Sequence, residues 1–214
     1  MTILITGANR GIGEALYAHY RDAGAAVFGT ARAPQGELLP LDVTEPASAK
    51  ALARRLNGLP IGLLVCNAGI YPDKGQTLDE GYRAALWAQG FATNVTGVFL
   101  TIQALLPNLR AAKGKIAIIS SAMASDANAP GGSYIYRASK AAALNLGRNL
   151  ARDLAADGIS VGIYHPGWVQ TAMGGPGAEI TPEQSAAGLA ARFAALSPAT
   201  SGCFEGYDGA PCPF

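Results

Sequence analysis

Five short apolar runs recur along the chain: "TILIT" (2–6), "AAVFGT" (25–30), "IGLLVC" (61–66), "KIAIIS" (115–120) and "ISVGIY" (159–164). They are rich in Ile, Val and Leu and are bounded by Gly, Pro or Asn, as suits strands buried on both faces. Between them, "GIGEALYAHYRDAG", "EPASAKALARRLNG", "ATNVTGVFLTIQALLPNLRA" and "YRASKAAALNLGRNLARDLAADG" show helical spacing. The first and last of these run into Gly24 and Gly158, residues suited to ending a helix. "ELLPLDV" (37–43) reads as a further strand whose proline fits a sheet edge, and "CFEGY" (203–207) as a last one. Strand alternating with helix specifies α/β architecture: a doubly wound parallel sheet of about seven strands with helices on both faces. No repeat or linker divides the chain, so residues 1–214 are expected to form a single domain. The Gly/Pro-rich tail carries an apolar residue every few positions and is expected to pack on that domain.

Composition narrows the function. Half the residues are apolar, 14% are charged and the formal net charge is +1, with no Lys/Arg block. Nothing there makes an electrostatic case for nucleic acid. His19 and His165 show no metal-ligand spacing, and no metal is expected. Cys66 reads as a buried small hydrophobe; Cys203 and Cys212 could be bridged but read better as reduced thiols, which implies a cytoplasmic location. No apolar run approaches the ~20 residues of a membrane span. "TILIT" starts at residue 2, which leaves no room for a leader.

The stretch "ITGANRGIGEAL" (5–16) joins the first strand to the first helix, with Gly7, Gly11 and Gly13 spaced G-x-x-x-G-x-G. Glycines let a backbone turn sharply and approach a pyrophosphate, and the N–H groups at a helix start favour its charge. At the first turn of a Rossmann-type sheet this predicts a dinucleotide site that includes Asn9 and Ile12. An NAD site usually carries an acid about 20 residues on, at the ribose 2′-hydroxyl. Here the second strand ends "GTARAP", with Arg32 and no acid, and Arg10 lies in the loop itself. Two guanidiniums suit a 2′-phosphate, so NADP(H) is expected over NAD(H). Asp42, in "LDV" with Val43, either accepts from an adenine amino group or caps the helix beginning near Glu45.

"GGSYIYRASKAAALN" (131–145) holds Tyr134, Tyr136 and Lys140. A helix turns by ~100° per residue, so Tyr136 and Lys140 share a face while Tyr134 and Lys140 diverge by ~120°. A phenol that works with the ammonium is therefore Tyr136. An ammonium held nearby should lower the phenol's pKa from its usual ~10.

In order and spacing, "TGANRGIG", "LDV", "NAG" (67–69), "TNV" (93–95), "ISS" (119–121), "YRASK" (136–140) and "HPGWVQT" (165–171) resemble the short-chain dehydrogenase/reductases. The likeness runs from residue 2 to about 175, and the version here is similar to the branch of carbonyl reductases and C-factor-like proteins. It implies that Tyr136 is the acid/base and Lys140 its partner and a ligand of the nicotinamide ribose. It implies that Ser121 donates to the carbonyl oxygen and that Asn94 holds a proton-relay water. Asn67, Ala68 and Gly69 would let the coenzyme approach, and Pro166, Gly167, Val169 and Thr171 would face its nicotinamide end. Fourteen residues separate Ser121 from Tyr136, a little more than the family usually has. Strand alternation favours Ser121 over Ser120, which should point inward.

The implied function is NADPH-dependent reduction of a ketone or aldehyde, or the reverse oxidation. The alternative is a C-factor-like nucleotide-binding signalling protein with little turnover, but all four catalytic positions are filled. Met123, Ser125, Asp126, Asn128, Tyr71, Pro72, Trp168 and Met173 are expected to form a fairly open pocket for a neutral carbonyl compound. A homo-oligomer is left open: "NVTGVFLTIQALL" could pair with a partner subunit or cover its own sheet.

Overall fold

In the computed structural model, which describes residues 1–214, seven parallel strands form one sheet in the order β3-β2-β1-β4-β5-β6-β7. In chain order these are β1 (Thr2–Ile5), β2 (Ala26–Ala31), β3 (Leu39–Pro40), β4 (Leu63–Cys66), β5 (Lys115–Ile119), β6 (Ser160–His165) and β7 (Phe204–Gly206). The helices are α1 (Gly11–Asp22), α2 (Pro46–Leu56), α3 (Ala84–Phe91), α4 (Gly97–Ala112), α5 (Tyr134–Asp153) and α6 (Pro182–Ala195). All seven expected strands are present. The proline-bearing β3 lies at one edge, where it needs no second partner, and β7 lies at the other.

The two-residue alternation of the strands sorts the core into two layers. Leu4, Leu64, Cys66, Ile116, Ile118 and Val161 face α2, α4 and α5, packing with Leu52, Leu56, Ile102, Leu105, Leu109 and Ala143. Ile3, Ile5, Leu63, Val65, Ala117 and Ile119 face the other way, onto Leu16 of α1 and Leu189 and Phe193 of α6. The register Ile3↔Leu63 and Leu64↔Ile116 keeps each set on its own face. A slip of one residue would exchange the layers, and each buried Leu or Ile contributes ~1.5–3 kcal/mol against that.

Two helical features went unread in the sequence. α6 begins with a capping box, Thr181 accepting from the Gln184 N–H and Gln184 accepting from the Thr181 N–H, with Pro182 in the first turn. α3 precedes the expected start at residue 92, and a π turn over Ala92–Thr96 joins it to α4. The joined helix, Ala84–Ala112, is long and apolar enough to cross a membrane by length and composition alone, contrary to the sequence reading. In this fold it packs against α2, α5 and β4. The tail packs on the domain as expected: the Phe214 ring lies under the Arg148 guanidinium at 4.2 Å, and its carbonyl accepts from Ala127 N–H at 3.0 Å. All three cysteines are free thiols.

Candidate active site

A parallel sheet ends every strand at the same edge, and this one reverses its order between β1 and β4, the place where sheets of this kind bind ligands. The glycine loop leaves β1 at that point. Gly7 and Gly11 hold left-handed φ angles of 67° and 57°, a conformation that disfavours a side chain. A Cβ on Gly13 would overlap the Gly7 carbonyl oxygen and the Asn67 amide, so the helix start and the loop pack backbone to backbone. A Cβ on Gly7 would come within 3.0 Å of Ala68 Cα. Asn67 holds the loop: its side-chain amide donates to the carbonyls of Thr6 (3.0 Å) and Gly7 (3.1 Å). The Thr6 hydroxyl accepts from the N–H groups of Asn67 and Ala68. Asn67 thus shapes the loop, and its side chain is committed to the protein.

Arg10 immediately precedes α1, at its N-cap, and Arg32 follows β2; both are exposed, and neither forms an ion pair, the two present being Arg21–Asp22 and Arg110–Asp157. Asp42 caps no helix. Its Oδ1 accepts from the N–H (2.9 Å) and hydroxyl (2.7 Å) of Thr44, while α2, with Glu45 at its N-cap, has no side-chain cap. The Thr44 bonds, aided by the Arg32 charge, hold the Asp42 carboxyl below its usual range against partial burial. Val43 is buried, its side chain filling the space beside Gly97. Of the residues after β6, Thr171 reaches the glycine loop, its methyl lying 3.2 Å from where a Gly11 Cβ would be. The Pro166 carbonyl accepts from Ser185, Gly167 abuts Ile180 and Tyr207, and Val169 bridges to Ile180. Asn9 is exposed on the loop and Ile12 packs under it against the α1–α6 layer.

Next to this cradle the structure gathers Asn94, Ser121, Tyr136 and Lys140, all buried. Asn94 sits inside the π turn and is no N-cap. Its Oδ1 accepts from Ile70 N–H and its Nδ2 donates to the Ile70 carbonyl and to Ser139 Oγ, each at 2.9 Å. Ser139 in turn donates to the Tyr136 carbonyl at 2.8 Å. Lys140 Nζ donates to the Ile119 carbonyl at 2.8 Å and lies 5.6 Å from the Tyr136 ring centre. Gly69 leaves room beside both: a Cβ there would lie 3.3 Å from Asn94 Oδ1 and 3.4 Å from Lys140 Nζ. Ser120 is spent on the Lys140 carbonyl (2.9 Å), whereas the Ser121 hydroxyl accepts from the Met123 N–H (3.1 Å), capping the turn Ala122–Ala124, and favours the ionised form of the Tyr136 phenol.

The electrostatics depart from the sequence argument. Burial pushes the Tyr136 phenol up to about 12, with Tyr71 adding to the rise and the Ser121 hydroxyl opposing it. Burial also pulls the Lys140 ammonium down to about 8. The lysine does not make this phenol acidic in the free protein, because neither group has water to carry its charge.

The expected substrate wall is split. Tyr71 stacks flat on Tyr136, ring centres 4.2 Å apart and 19° from parallel, so the phenol is covered and not openly exposed. Met123, Ser125 and Asp126 line a cavity of about 380 Å³ with Tyr134, Arg137 and Ala141. On a helix turning ~100° per residue, positions 134, 137 and 141 centre ~115° round the axis from 136 and 140, so this cavity lies on a face of α5 adjoining the one that carries the phenol, and Tyr136 does not line it. Asn128 is exposed; its carbonyl accepts from Arg137 at 3.2 Å. Pro72 lies against Gly90 of α3. Trp168 and Met173 are exposed on the segment after β6, where the Met173 carbonyl accepts from Lys74. Sequence reasoning missed Asp73, 1% exposed, which accepts from the N–H groups of Ile135 (2.8 Å) and Tyr136 (3.2 Å). No local pattern announces a cap that comes from another part of the chain.

The chain is similar to known proteins in sequence and in fold. The profile of the short chain dehydrogenase family matches residues 1–179. The chain is 35% identical to 1-hydroxy-2-glutathionyl-2-methyl-3-butene dehydrogenase of Rhodococcus sp. strain AD45, covering 97% of both chains. It is 36% identical to the C-signal protein of Myxococcus xanthus over 77% of this chain and 99% of that one. Among solved structures, the NADPH-bound carbonyl reductase from chicken fatty liver superposes with a TM-score of 0.90 at 32% identity, covering 100% of this chain and 98% of that one. A glycine loop at the strand-order reversal and a buried tyrosine one helical turn from a lysine thus come together in a chain that belongs to the short-chain dehydrogenase/reductase family of oxidoreductases.

Proposed function

We propose that this chain is an NADP(H)-dependent carbonyl reductase that converts a ketone or aldehyde to its alcohol, with residues 1–214 acting as one catalytic domain. The observation that carries the reading is the convergence of Ser121, Tyr136 and Lys140 beside a glycine cradle flanked by two unpaired arginines. The cradle suits a dinucleotide: Gly7 and Gly11 hold turns that disfavour a side chain, Gly13 lets the start of α1 close on the loop, and the α1 N-terminus favours a pyrophosphate. Arg10 and Arg32 would take the 2′-phosphate, and NADPH in the chicken carbonyl reductase is in line with that choice. When bound, the coenzyme supplies the hydride.

The chain's own residues then handle oxygen and proton. The Ser121 hydroxyl donates to the carbonyl oxygen and stabilises the negative charge that grows there. Tyr136 gives that oxygen its proton. A phenol raised to about 12 is fully protonated at neutral pH, so it is loaded as a donor and suits reduction better than the reverse reaction. Lys140, with an ammonium near 8, can return a proton to the phenol at neutral pH, and Asn94 keeps the frame rigid through Ile70 and Ser139. Loss of a proton-handling group would suit a binding protein without turnover; the four filled positions weigh against that alternative.

The test is NADPH oxidation by the purified protein over a panel of neutral ketones and aldehydes, repeated with NADH. The reading expects turnover with at least one carbonyl class and preference for NADPH. Failure across a broad panel with both coenzymes would contradict it.

A further inference from the structure

We infer that Tyr71 and Asp73 are positioning residues for the Tyr136 phenol, and that the turn Tyr71–Lys74 is a strap that fixes the start of the α5 helix and seals one face of the tyrosine ring. The inference rests on the reading of Tyr136 as proton donor.

Three attachments carry it. Tyr71 stacks on Tyr136 at 4.2 Å between ring centres, a spacing that admits nothing between the rings. The Tyr71 hydroxyl is hydrogen-bonded to the Ser133 hydroxyl, which occupies the N-cap of α5 in the left-handed region at φ 52°. Ser133 therefore does not cap its own helix; Asp73, across 62 residues of chain, accepts from Ile135 and Tyr136 N–H instead. Asp73 has no cationic partner in this fold, so its carboxyl is committed to the α5 start, where the helix dipole also favours it.

The strap is itself anchored at both ends. Asn94 grips the N–H and carbonyl of Ile70 just before it, and Lys74 Nζ donates to the Met173 carbonyl at 2.8 Å. A shift of the strap therefore moves the backbone N–H of the very residue whose side chain gives the proton. Misplacement of a reacting group by about 1 Å can cost ~100-fold in rate. The titratable and charged groups around the phenol are Tyr71 and Asp73 on the strap and Lys140 one turn along α5. Burial is the largest cause of the rise in the phenol's pKa, and Tyr71 adds a smaller coulombic contribution in the same direction.

The test uses Tyr71→Leu, Asp73→Ala and Asp73→Asn, each also made with Tyr136→Phe so that the Tyr136 phenolate is read as a difference absorbance in the coenzyme-free protein. Tyr71→Leu should let that phenolate form at tenfold or more lower hydroxide concentration and should move the basic limb of carbonyl reduction down in pH. Asp73→Ala should lower kcat at least tenfold with NADPH affinity within twofold of wild type. Asp73→Asn, which keeps one acceptor oxygen, should recover to within threefold. An unmoved phenolate titration in Tyr71→Leu overturns the inference. So does equal loss of kcat, NADPH affinity and melting temperature in both Asp73 variants, the pattern of a cap that only stabilises. If Asp73→Ala does not fold, Asp73→Asn and the Tyr71→Leu titration decide. The titration needs no turnover, so it judges the strap even if carbonyl reduction itself fails to appear.

Discussion

Replacing Lys140 by Met should stabilise the coenzyme-free protein at neutral pH while removing turnover. Lys140 is 5% exposed, has no carboxylate partner, and Nζ has one hydrogen bond, to the Ile119 carbonyl. Burial lowers its pKa from 10.5 to about 8. Below the lower value both folded and unfolded chains carry the proton, and the folded state bears the whole cost of a dry ammonium. Between the two values the unfolded chain binds more protons, so stability rises with pH through that window. The drop from 10.5 to about 8 corresponds to ~3 kcal/mol at ~1.4 kcal/mol per tenfold change in proton affinity. Met keeps the apolar stem and loses the bond to Ile119, worth ~1.5 kcal/mol or somewhat more for a charged donor. The net gain at pH 7 is therefore ~1 kcal/mol, and above the unfolded-state pKa it should become a loss. Urea unfolding of both proteins at pH 7 and at a pH above 10.5 measures it, and the stability difference should change by ~3 kcal/mol between them. A difference that stays constant with pH would refute the claim that this amine is held out of water.

Three further outcomes follow from the geometry. Gly13→Ala drives a methyl into the Gly7 carbonyl and the Asn67 amide, so it should cost ~1–3 kcal/mol in unfolding free energy and weaken NADPH binding at least tenfold by titration. Arg32→Asp should lower the NADPH-over-NADH ratio of kcat/KM at least tenfold; an unchanged ratio would remove Arg32 from the phosphate site. In the free protein, the wild-type minus Tyr136→Phe difference spectrum should show no phenolate at pH 10, where a solvated tyrosine is about half ionised, because burial holds this phenol near 12.

The layering was legible because strand alternation and helix spacing are local: Ile3 and Leu4 must face opposite ways whatever surrounds them. The same holds for the pairing of Tyr136 with Lys140, four residues apart on one helix. α6 was readable in principle, since Thr181, Pro182 and Gln184 form a start signal that went unused. Other features depend on contacts that no window of sequence contains. Asp73 caps a helix from 62 residues away, Tyr71 stacks on Tyr136 from similarly distant sequence, and Asn94 is held by Ile70 and Ser139. The Tyr136 pKa belongs with these: the neighbouring lysine could be read from spacing, but the burial that outweighs it is a property of the packed site. For the same reason the sequence could not show that Met123 and Ser125 share a cavity with Tyr134 and Arg137 of α5 that Tyr136 does not line.

The most direct test of the whole account is NADPH turnover by Tyr136→Phe on whichever carbonyl compound the wild type reduces. There kcat should fall at least a thousandfold, in line with loss of ~4 kcal/mol or more of transition-state stabilisation, while NADPH binds as tightly as before. Turnover within a few-fold of wild type in that variant would mean that another group delivers the proton.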